Sequence, residues 1–138
     1  MHEFRTRRKV EFADTDMEGI VHFARFMVFM ETAEHEFLEA IGTRVALDLG
    51  DRRIGWPRVS VSCDYAAPAR FGDVLDIHLR VLRKGTKSMT YGFTFEKDGV
   101  HVASGKVSSV CCELGADGSI RAIEIPASIA DNIEEVST

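Results

Sequence analysis

The sequence predicts an α+β fold in which one long helix lies against a curved antiparallel β-sheet. Two patterns support this prediction. A single amphipathic helical segment lies near the N-terminus, and several later segments alternate apolar with polar residues. Two Asp-Gly pairs between the later segments are typical of hairpin turns, so neighbouring strands should be antiparallel. One helix must then cover the apolar face of the sheet, which gives two layers.

The N-terminal part of the chain predicts a strand, a polar loop and the helix, in that order. Residues 4–12 favour a strand, and Asp14-Thr15-Asp16 predicts a loop that continues to Gly19. The helix is predicted from apolar residues that recur every three or four positions: Phe26, Phe29, Met30, Ala33, Phe37 and Ile41. Gly42 is a typical helix end, which gives about 18 residues and a length of roughly 27 Å.

The remainder of the chain predicts strands of one antiparallel sheet. Alternation and turn residues define these strands as residues 75–81, 89–95, 100–112 and 120–125. Asp98-Gly99 and Asp117-Gly118 predict the hairpins between the last three strands. Pro68 and Gly72 bracket the turn before the first of them. The predicted order is therefore a strand, the helix, and four or five further strands.

Length and composition predict one soluble domain, residues 1–138. Hydrophobic residues make up 45% of the chain and charged residues 28%, which is ordinary for a globular protein. The formal net charge of −5 argues against a general nucleic-acid binder or membrane-surface binder, because both classes usually carry a basic excess.

The N-terminus and the cysteines predict a cytoplasmic protein. The basic residues near the N-terminus are not followed by an apolar segment, so no secretory signal is expected. No apolar stretch is long enough for a membrane span. Cys63, Cys111 and Cys112 lack any metal-binding spacing, so we expect three reduced thiols and no metal site.

Segment 14–23 reads Asp-Thr-Asp-Met-Glu-Gly-Ile-Val-His-Phe. It resembles the D-T-D-x-x-G-x-V-x-x segment of the 4-hydroxybenzoyl-CoA thioesterase family, which includes the YbgC-like acyl-CoA thioesterases. The likeness continues at 30–38, 59–65 and 67–73. The resemblance implies a hotdog fold, a homodimer with active sites at the subunit interface, and often a homotetramer. It also implies an acyl-CoA thioesterase without a separate cofactor, because coenzyme A is part of the substrate.

The resemblance implies catalytic roles within the loop. Asp16 is expected to act as nucleophile or general base, and the backbone N–H of Phe23 to polarise the thioester carbonyl. An ordinary aspartate has a pKa of about 3.9 and is ionised near neutral pH. An N–H aimed at a developing oxyanion is typically worth about 3 kcal/mol. Gly19 allows the loop backbone to approach a ligand closely, and the chemistry needs no metal.

His22 and two helix glutamates are further catalytic candidates. YbgC-like members carry a histidine at the position of Phe23, whereas His22 lies one residue earlier in this chain. Its imidazole would therefore orient a carbonyl or a water from a different direction. Some hotdog thioesterases use a helix glutamate as the base, which makes Glu31 and then Glu34 candidates, although most helix glutamates face solvent.

Substrate contacts are expected from basic residues and from the single tryptophan. Coenzyme A carries phosphate groups, which arginine and lysine bind well, and the candidates are Arg58, Arg70, Arg83, Lys84 and Lys87. Trp56 is expected near the dimer interface, where it could also line an acyl pocket. The acyl group, and the choice between coenzyme A and acyl carrier protein, depend on pocket shape and stay open.

Two other functions stay open at this point. A hotdog hydratase or dehydratase would act on an acyl thioester with His22 and Glu31, although those enzymes do not use the D-T-D segment. The other is a non-catalytic acyl-CoA-binding module, which is disfavoured because 138 residues leave no room for an appended DNA-binding domain.

Overall fold

The computed structural model of the protein describes residues 1–137, which contain nine strands and two α-helices. The strands are β1 (Glu3–Lys9), β2 (Leu47–Asp48), β3 (Arg53–Gly55), β4 (Arg58–Tyr65), β5 (Val74–Lys84), β6 (Ser88–Lys97), β7 (Val100–Val110), β8 (Cys112–Leu114) and β9 (Ile120–Ala122). Helix α1 covers Arg25–Ala40, and the short α2 covers Ala127–Ala130. A 3₁₀ turn, Phe12–Asp14, lies between β1 and α1.

Five strands form the main sheet in the order β1-β5-β6-β7-β4, and each is antiparallel to its neighbours. Strands β1 and β4 are therefore its two edges. A smaller sheet has the order β2-β3-β8-β9. One long helix and a mostly antiparallel sheet confirm the predicted α+β architecture, whereas the smaller sheet was not predicted.

The core lies between α1 and the main sheet. The buried apolar residues of α1 include those that the helical spacing predicted: Phe26, Phe29, Met30, Ala33 and Phe37. Two edge-to-face aromatic pairs join the helix to β6. The ring centroids of Phe26 and Phe95 are 5.3 Å apart, and those of Phe37 and Tyr91 are 5.7 Å apart. The helix is thereby fixed over the sheet, with its N-terminal end beside the β1–α1 loop.

Gly105 of β7 allows α1 to approach the sheet closely. A Cβ atom at this position would lie 2.6 Å from the Met30 sulfur and 2.7 Å from the Ser62 carbonyl oxygen. Any larger residue at position 105 would therefore displace the helix or β4.

The first strand and the helix are both shorter than predicted. The strand predicted over 4–12 ends at Lys9, because Phe12–Asp14 forms a turn in which the Glu11 N–H donates to the Asp14 carboxylate at 2.8 Å. Helix α1 has 16 residues and begins at Arg25.

The last predicted strands also differ from the structure. The strand predicted over 100–112 is two strands in different sheets: β7 pairs with β6 and β4, whereas β8 pairs with β3 and β9. The strand predicted over 120–125 stops at Ala122, after which the Ile123 N–H donates to the Cys111 carbonyl at 2.9 Å.

Both predicted hairpins are confirmed. Asp98-Gly99 joins β6 to β7 with positive φ at both residues, and Asp117-Gly118 lies in the turn between β8 and β9. Of the helices within residues 1–137, neither is both long and apolar enough to cross a membrane.

Candidate active site

The loop between β1 and α1 folds into a narrow hairpin that presents Asp16. Thr15 pairs with Val21 across the stem, and the Asp16 N–H donates to the Ile20 carbonyl at 2.9 Å. At the tip, the Gly19 N–H donates to the Asp16 carbonyl at 3.0 Å. Gly19 has a φ of +78°, where a side chain would be strained. The lack of a side chain at Gly19 therefore allows the turn that carries Asp16 to close.

The Asp16 carboxylate is held by the backbone of its own hairpin. Its Oδ1 accepts a hydrogen bond from the Glu18 N–H at 2.9 Å. Partial desolvation raises the pKa of Asp16, but hydrogen bonding by Glu18 outweighs it, so the pKa lies below the ordinary aspartate value. The carboxylate is therefore ionised at neutral pH and available as a nucleophile or a base.

A mostly apolar cavity of about 460 Å³ lies beside Asp16. Its walls come from the hairpin, from the start of α1 and from the segment after β4: Ile20, Val21, Phe23, Phe26, Tyr65, Ala66, Ala67, Pro68 and Ala69. Within residues 1–137, the Phe23 N–H donates no hydrogen bond. A carboxylate and a free N–H at one apolar cavity suit attack on a carbonyl and stabilisation of the resulting oxyanion.

His22 supports the start of α1. Its Nδ1 accepts a hydrogen bond from the Ala24 N–H at 3.1 Å, and its ring stacks on Phe23 with 4.7 Å between centroids. Because Nδ1 is an acceptor, the neutral ring carries its proton on Nε2. His22 is absent from the cavity lining among the residues that the structure describes. Its contacts are therefore those of a residue that shapes the loop.

We expect His22→Ala to lower kcat/KM by no more than roughly tenfold, or 1.4 kcal/mol. His22→Asn should lose less, because its side-chain oxygen can still accept from the Ala24 N–H. The measurement is kcat/KM for both variants and for Asp16→Ala on one substrate that is turned over. A loss for His22→Ala as large as that for Asp16→Ala would move the chemistry to a histidine-centred site.

Tyr65 is a site residue that the sequence analysis did not single out. It ends β4, lines the cavity, and donates from its hydroxyl to the Phe23 carbonyl at 2.8 Å. Desolvation raises the pKa of Tyr65 to about 12, so the hydroxyl remains a donor. The available sequence signal was its position at the end of segment 59–65, directly before the 67–73 segment.

Glu31 and Glu34 line a second cavity, of about 230 Å³, between α1 and β4. The expectation that helix glutamates face solvent is wrong for Glu34, which is 0% exposed. Its Oε2 accepts from Arg58 at 2.8 Å, and Oε1 has no partner within residues 1–137. Desolvation raises the pKa of Glu34 despite the nearby guanidinium. Glu31, which is exposed, lies about 9 Å along the helix from its first residue, Arg25.

Arg58 and Trp56 make internal contacts. Besides Glu34, the Arg58 guanidinium donates to the Trp56 carbonyl at 3.0 Å. Trp56 is 3% exposed and belongs to the core. Among the residues that the structure describes, neither Trp56 nor Arg58 lines the Asp16 cavity.

The remaining basic candidates lie near opposite ends of β5. Arg70 precedes β5 and bridges to the hairpin that carries Asp16. Arg83 and Lys84 lie at the other end of β5, with Lys87 in the following turn. An 11-residue strand separates the two groups by roughly 30 Å. The Lys84 ammonium also donates to two carbonyls near α2. Within one subunit, Arg70 is the basic candidate near the cavity.

This chain matches a thioesterase family model and is similar to known thioesterases. The model of the thioesterase-like superfamily matches residues 10–133. The 1,4-dihydroxy-2-naphthoyl-CoA hydrolase of Synechococcus sp. (strain CC9605) is 32% identical over 114 residues, which cover 79% of this chain and 76% of that protein.

Solved structures share the architecture. A gentisyl-coenzyme A thioesterase superimposes with a TM-score of 0.79 and 30% identity, over 94% of this chain and 98% of that one. A 4-hydroxybenzoyl CoA thioesterase mutant in complex with 4-hydroxybenzoyl CoA has a TM-score of 0.81 and 20% identity. That match covers 96% of this chain and 99% of the other, and it shows the fold. The prediction of a hotdog subunit is confirmed.

Proposed function

This chain belongs to the thioesterase-like superfamily, and from that premise we propose that it hydrolyses an acyl-CoA thioester to free coenzyme A and a carboxylic acid. One observation carries the proposal: one apolar cavity is lined by the ionised Asp16 and by Phe23, whose N–H donates to no acceptor within residues 1–137. The cavity walls suit the acyl group, and the names of the relatives described above are those of enzymes acting on aromatic CoA thioesters.

The proposed chemistry uses only groups of the chain, water and the substrate. The Phe23 N–H donates to the thioester carbonyl oxygen and stabilises the negative charge that develops there. Asp16 attacks the carbonyl carbon, which breaks the C–S bond, releases the coenzyme A thiolate and forms a mixed anhydride that water then hydrolyses. Alternatively, Asp16 accepts a proton from water while the water oxygen attacks the same carbon. The C–S bond then breaks, and the departing coenzyme A thiolate takes that proton from Asp16. Both routes regenerate the Asp16 carboxylate and need no metal.

The decisive experiment measures release of free coenzyme A thiol from a panel of acyl-CoA substrates. The panel includes 4-hydroxybenzoyl-CoA, 1,4-dihydroxy-2-naphthoyl-CoA, a short straight-chain acyl-CoA and an enoyl-CoA. We expect thiol and acid in equal amounts from at least one member, and much less from Asp16→Asn protein prepared identically. Loss of enoyl absorbance without thiol would support the hydratase alternative, and tight binding without turnover would support a binding module.

We further propose a homodimer in which β4 pairs with β4 of a second copy. Strand β4 has eight residues and forms an edge, and Val59, Val61 and Tyr65 on it are exposed. A long, exposed edge strand is a template for another strand, and an identical partner gives a closed two-fold pair. Tyr65 also lines the Asp16 cavity, so this pairing puts the cavity beside the interface. A homotetramer is the larger assembly proposed from the resemblance.

Sedimentation at micromolar concentration should give at least the mass of a dimer. Val59→Lys adds a charge at the proposed interface and should shift the mass towards the monomer. Val100→Lys is the matched control, because Val100 is similarly exposed but lies at the β6–β7 hairpin, and its mass should stay that of the wild type. A monomeric wild type would contradict both the pairing and the interfacial position of the cavity.

The proposed location is the cytoplasm. Cys63, Cys111 and Cys112 are all free thiols in the structure, which is the usual state in a reducing compartment.

A further inference from the structure

Asp14 is a buried carboxylate at the base of the hairpin that carries Asp16. It is 1% exposed, and both side-chain oxygens are engaged. Oδ2 accepts from the Glu11 N–H at 2.8 Å, whereas Oδ1 accepts from Nε and Nη2 of Arg25 at 2.9 and 2.7 Å. A buried charge is costly unless it is paired and hydrogen-bonded, so these contacts are what allow Asp14 to be buried here.

The contacts of Asp14 tie together the two arms of the hairpin. Asp14 lies at the start of the first arm, and Arg25 lies just beyond the second. The backbone adds another link, because the His22 N–H donates to the Asp14 carbonyl at 2.8 Å. Asp16 is two residues beyond Asp14, and Phe23 is one residue beyond His22. The Asp14–Arg25 ion pair, here called the hairpin clamp, therefore holds the chain on both sides of the site.

Arg25 is poorly placed for the stability of α1 itself. It is the first residue of the helix, where a cation opposes the helix dipole, and the first turn contains no acidic residue. The N-cap, Ala24, makes no side-chain capping hydrogen bond. The hairpin clamp, rather than helix capping, accounts for an arginine at this position.

We propose that Asp14 is a positioning residue for the hydrolysis, which through the hairpin clamp holds the Asp16 carboxylate and the Phe23 N–H at the separation that attack on a thioester carbonyl requires. This inference rests on the proposed function, because it assumes that both groups act on the substrate. Among residues 1–137, Asp14 is not part of the cavity lining. Its loss should therefore lower kcat more than it changes KM.

Asp14→Asn tests the proposal, because it keeps the shape of the side chain and removes the charge. We expect kcat to fall about tenfold, while KM stays within about twofold of the wild type. Arg25→Lys keeps a cation beside Asp14 and should retain more kcat than Arg25→Gln. Ile129→Val is the stability control, because it truncates a buried residue of α2 outside the hairpin and should leave kcat unchanged.

Combination with Asp16→Asn separates positioning from a general loss of structure. In that background, Asp14→Asn should lower the remaining rate by a smaller factor than it does in the wild type, because one of the two groups that it positions has been removed. The backbone amide NMR signals of Glu18 and Phe23 should shift in Asp14→Asn and stay in place in Ile129→Val. These signals report the hairpin directly, independently of turnover.

The outcomes distinguish this inference from the function on which it rests. Wild-type kcat in Asp14→Asn, together with an inactive Asp16→Asn, would overturn the positioning role and leave the proposed function intact. Wild-type kcat in Asp16→Asn would overturn the proposed function itself. If Asp14→Asn does not fold, the two Arg25 variants decide, and equal kcat in Arg25→Lys and Arg25→Gln would overturn the proposal.

Discussion

Asp16→Asn is expected to lower kcat by a factor of at least about 10² while the protein keeps its fold. The asparagine oxygen can still accept a hydrogen bond from the Glu18 N–H, so the hairpin should persist. What disappears is the ionised carboxylate, which in the proposed mechanism attacks the carbonyl carbon or accepts the proton of the water. The measurement is steady-state kcat and KM on one accepted acyl-CoA, with a thermal unfolding curve as the control. Retention of half the wild-type turnover would refute the assignment.

The pH profile of the wild type gives a second check on the same residue. Because the pKa of Asp16 lies below the ordinary aspartate value of about 3.9, the carboxylate stays ionised through the mildly acidic range. The kcat/KM of the free enzyme should therefore be constant from neutral pH down to about pH 5 and fall below about pH 4. An acid limb near pH 6 would instead indicate a group such as an imidazole.

Arg58→Met is expected to lower the free energy of unfolding by about 3 kcal/mol or more. The substitution removes the only hydrogen-bond donor that the structure, over residues 1–137, gives to the Glu34 carboxylate. Glu34 then remains inside the core without a partner, and an uncompensated buried charge is far more costly than an absent ion pair. Chemical denaturation of wild type and variant at equal protein concentration measures the difference, because unfolding of an oligomer depends on concentration.

The sign of the pH dependence identifies the cause of that loss. Burial already raises the pKa of Glu34, and Arg58 opposes this effect, so removing Arg58 raises the pKa further. A carboxyl whose folded pKa exceeds its unfolded value of about 4.3 destabilises the fold increasingly as the pH rises above that value. The deficit of Arg58→Met should therefore be small near pH 4 and large near pH 8. A deficit independent of pH would contradict this explanation.

The double variant Glu34→Met/Arg58→Met is the matched control. It removes both charges and fills the same space with apolar atoms, which is often neutral or stabilising for a buried pair. Its unfolding free energy should exceed that of Arg58→Met at pH 8. A double variant less stable than the single one would show that packing, rather than the unpaired carboxylate, causes the loss.

The sequence predicted those structural features that depend mainly on the local chain. Asp16 and Gly19 stand in a short segment whose turn is determined by the residues within it, and the buried face of α1 follows from its own spacing. These features need few contacts beyond the local chain. The fold class, built from one amphipathic helix and alternating strands, was predictable for the same reason.

The hydrogen-bond partners of Glu34 and Tyr65 come from distant parts of the chain. The Glu34 position looks polar on a helical wheel, and its burial makes sense only with Arg58, which lies 24 residues away. Tyr65 meets the Phe23 carbonyl across 42 residues. No local pattern encodes either contact, because both depend on how β4 is placed against α1. The smaller sheet was not recognised as a separate sheet, because its strands carry too few residues to show alternation.

The two edges of the main sheet differ in charge. Strand β4 carries no charged residue from 59 to 63, whereas β1 exposes or half-exposes a row of cations: Arg5, Arg7, Arg8 and Lys9. Two β1 strands side by side would set like charges against one another, which opposes pairing. Each copy thus has one edge strand, β4, that favours pairing and one, β1, that opposes it. Under the proposed β4 pairing, edge-to-edge growth of the sheet would stop at two copies, whereas two edges able to pair would allow an open-ended filament.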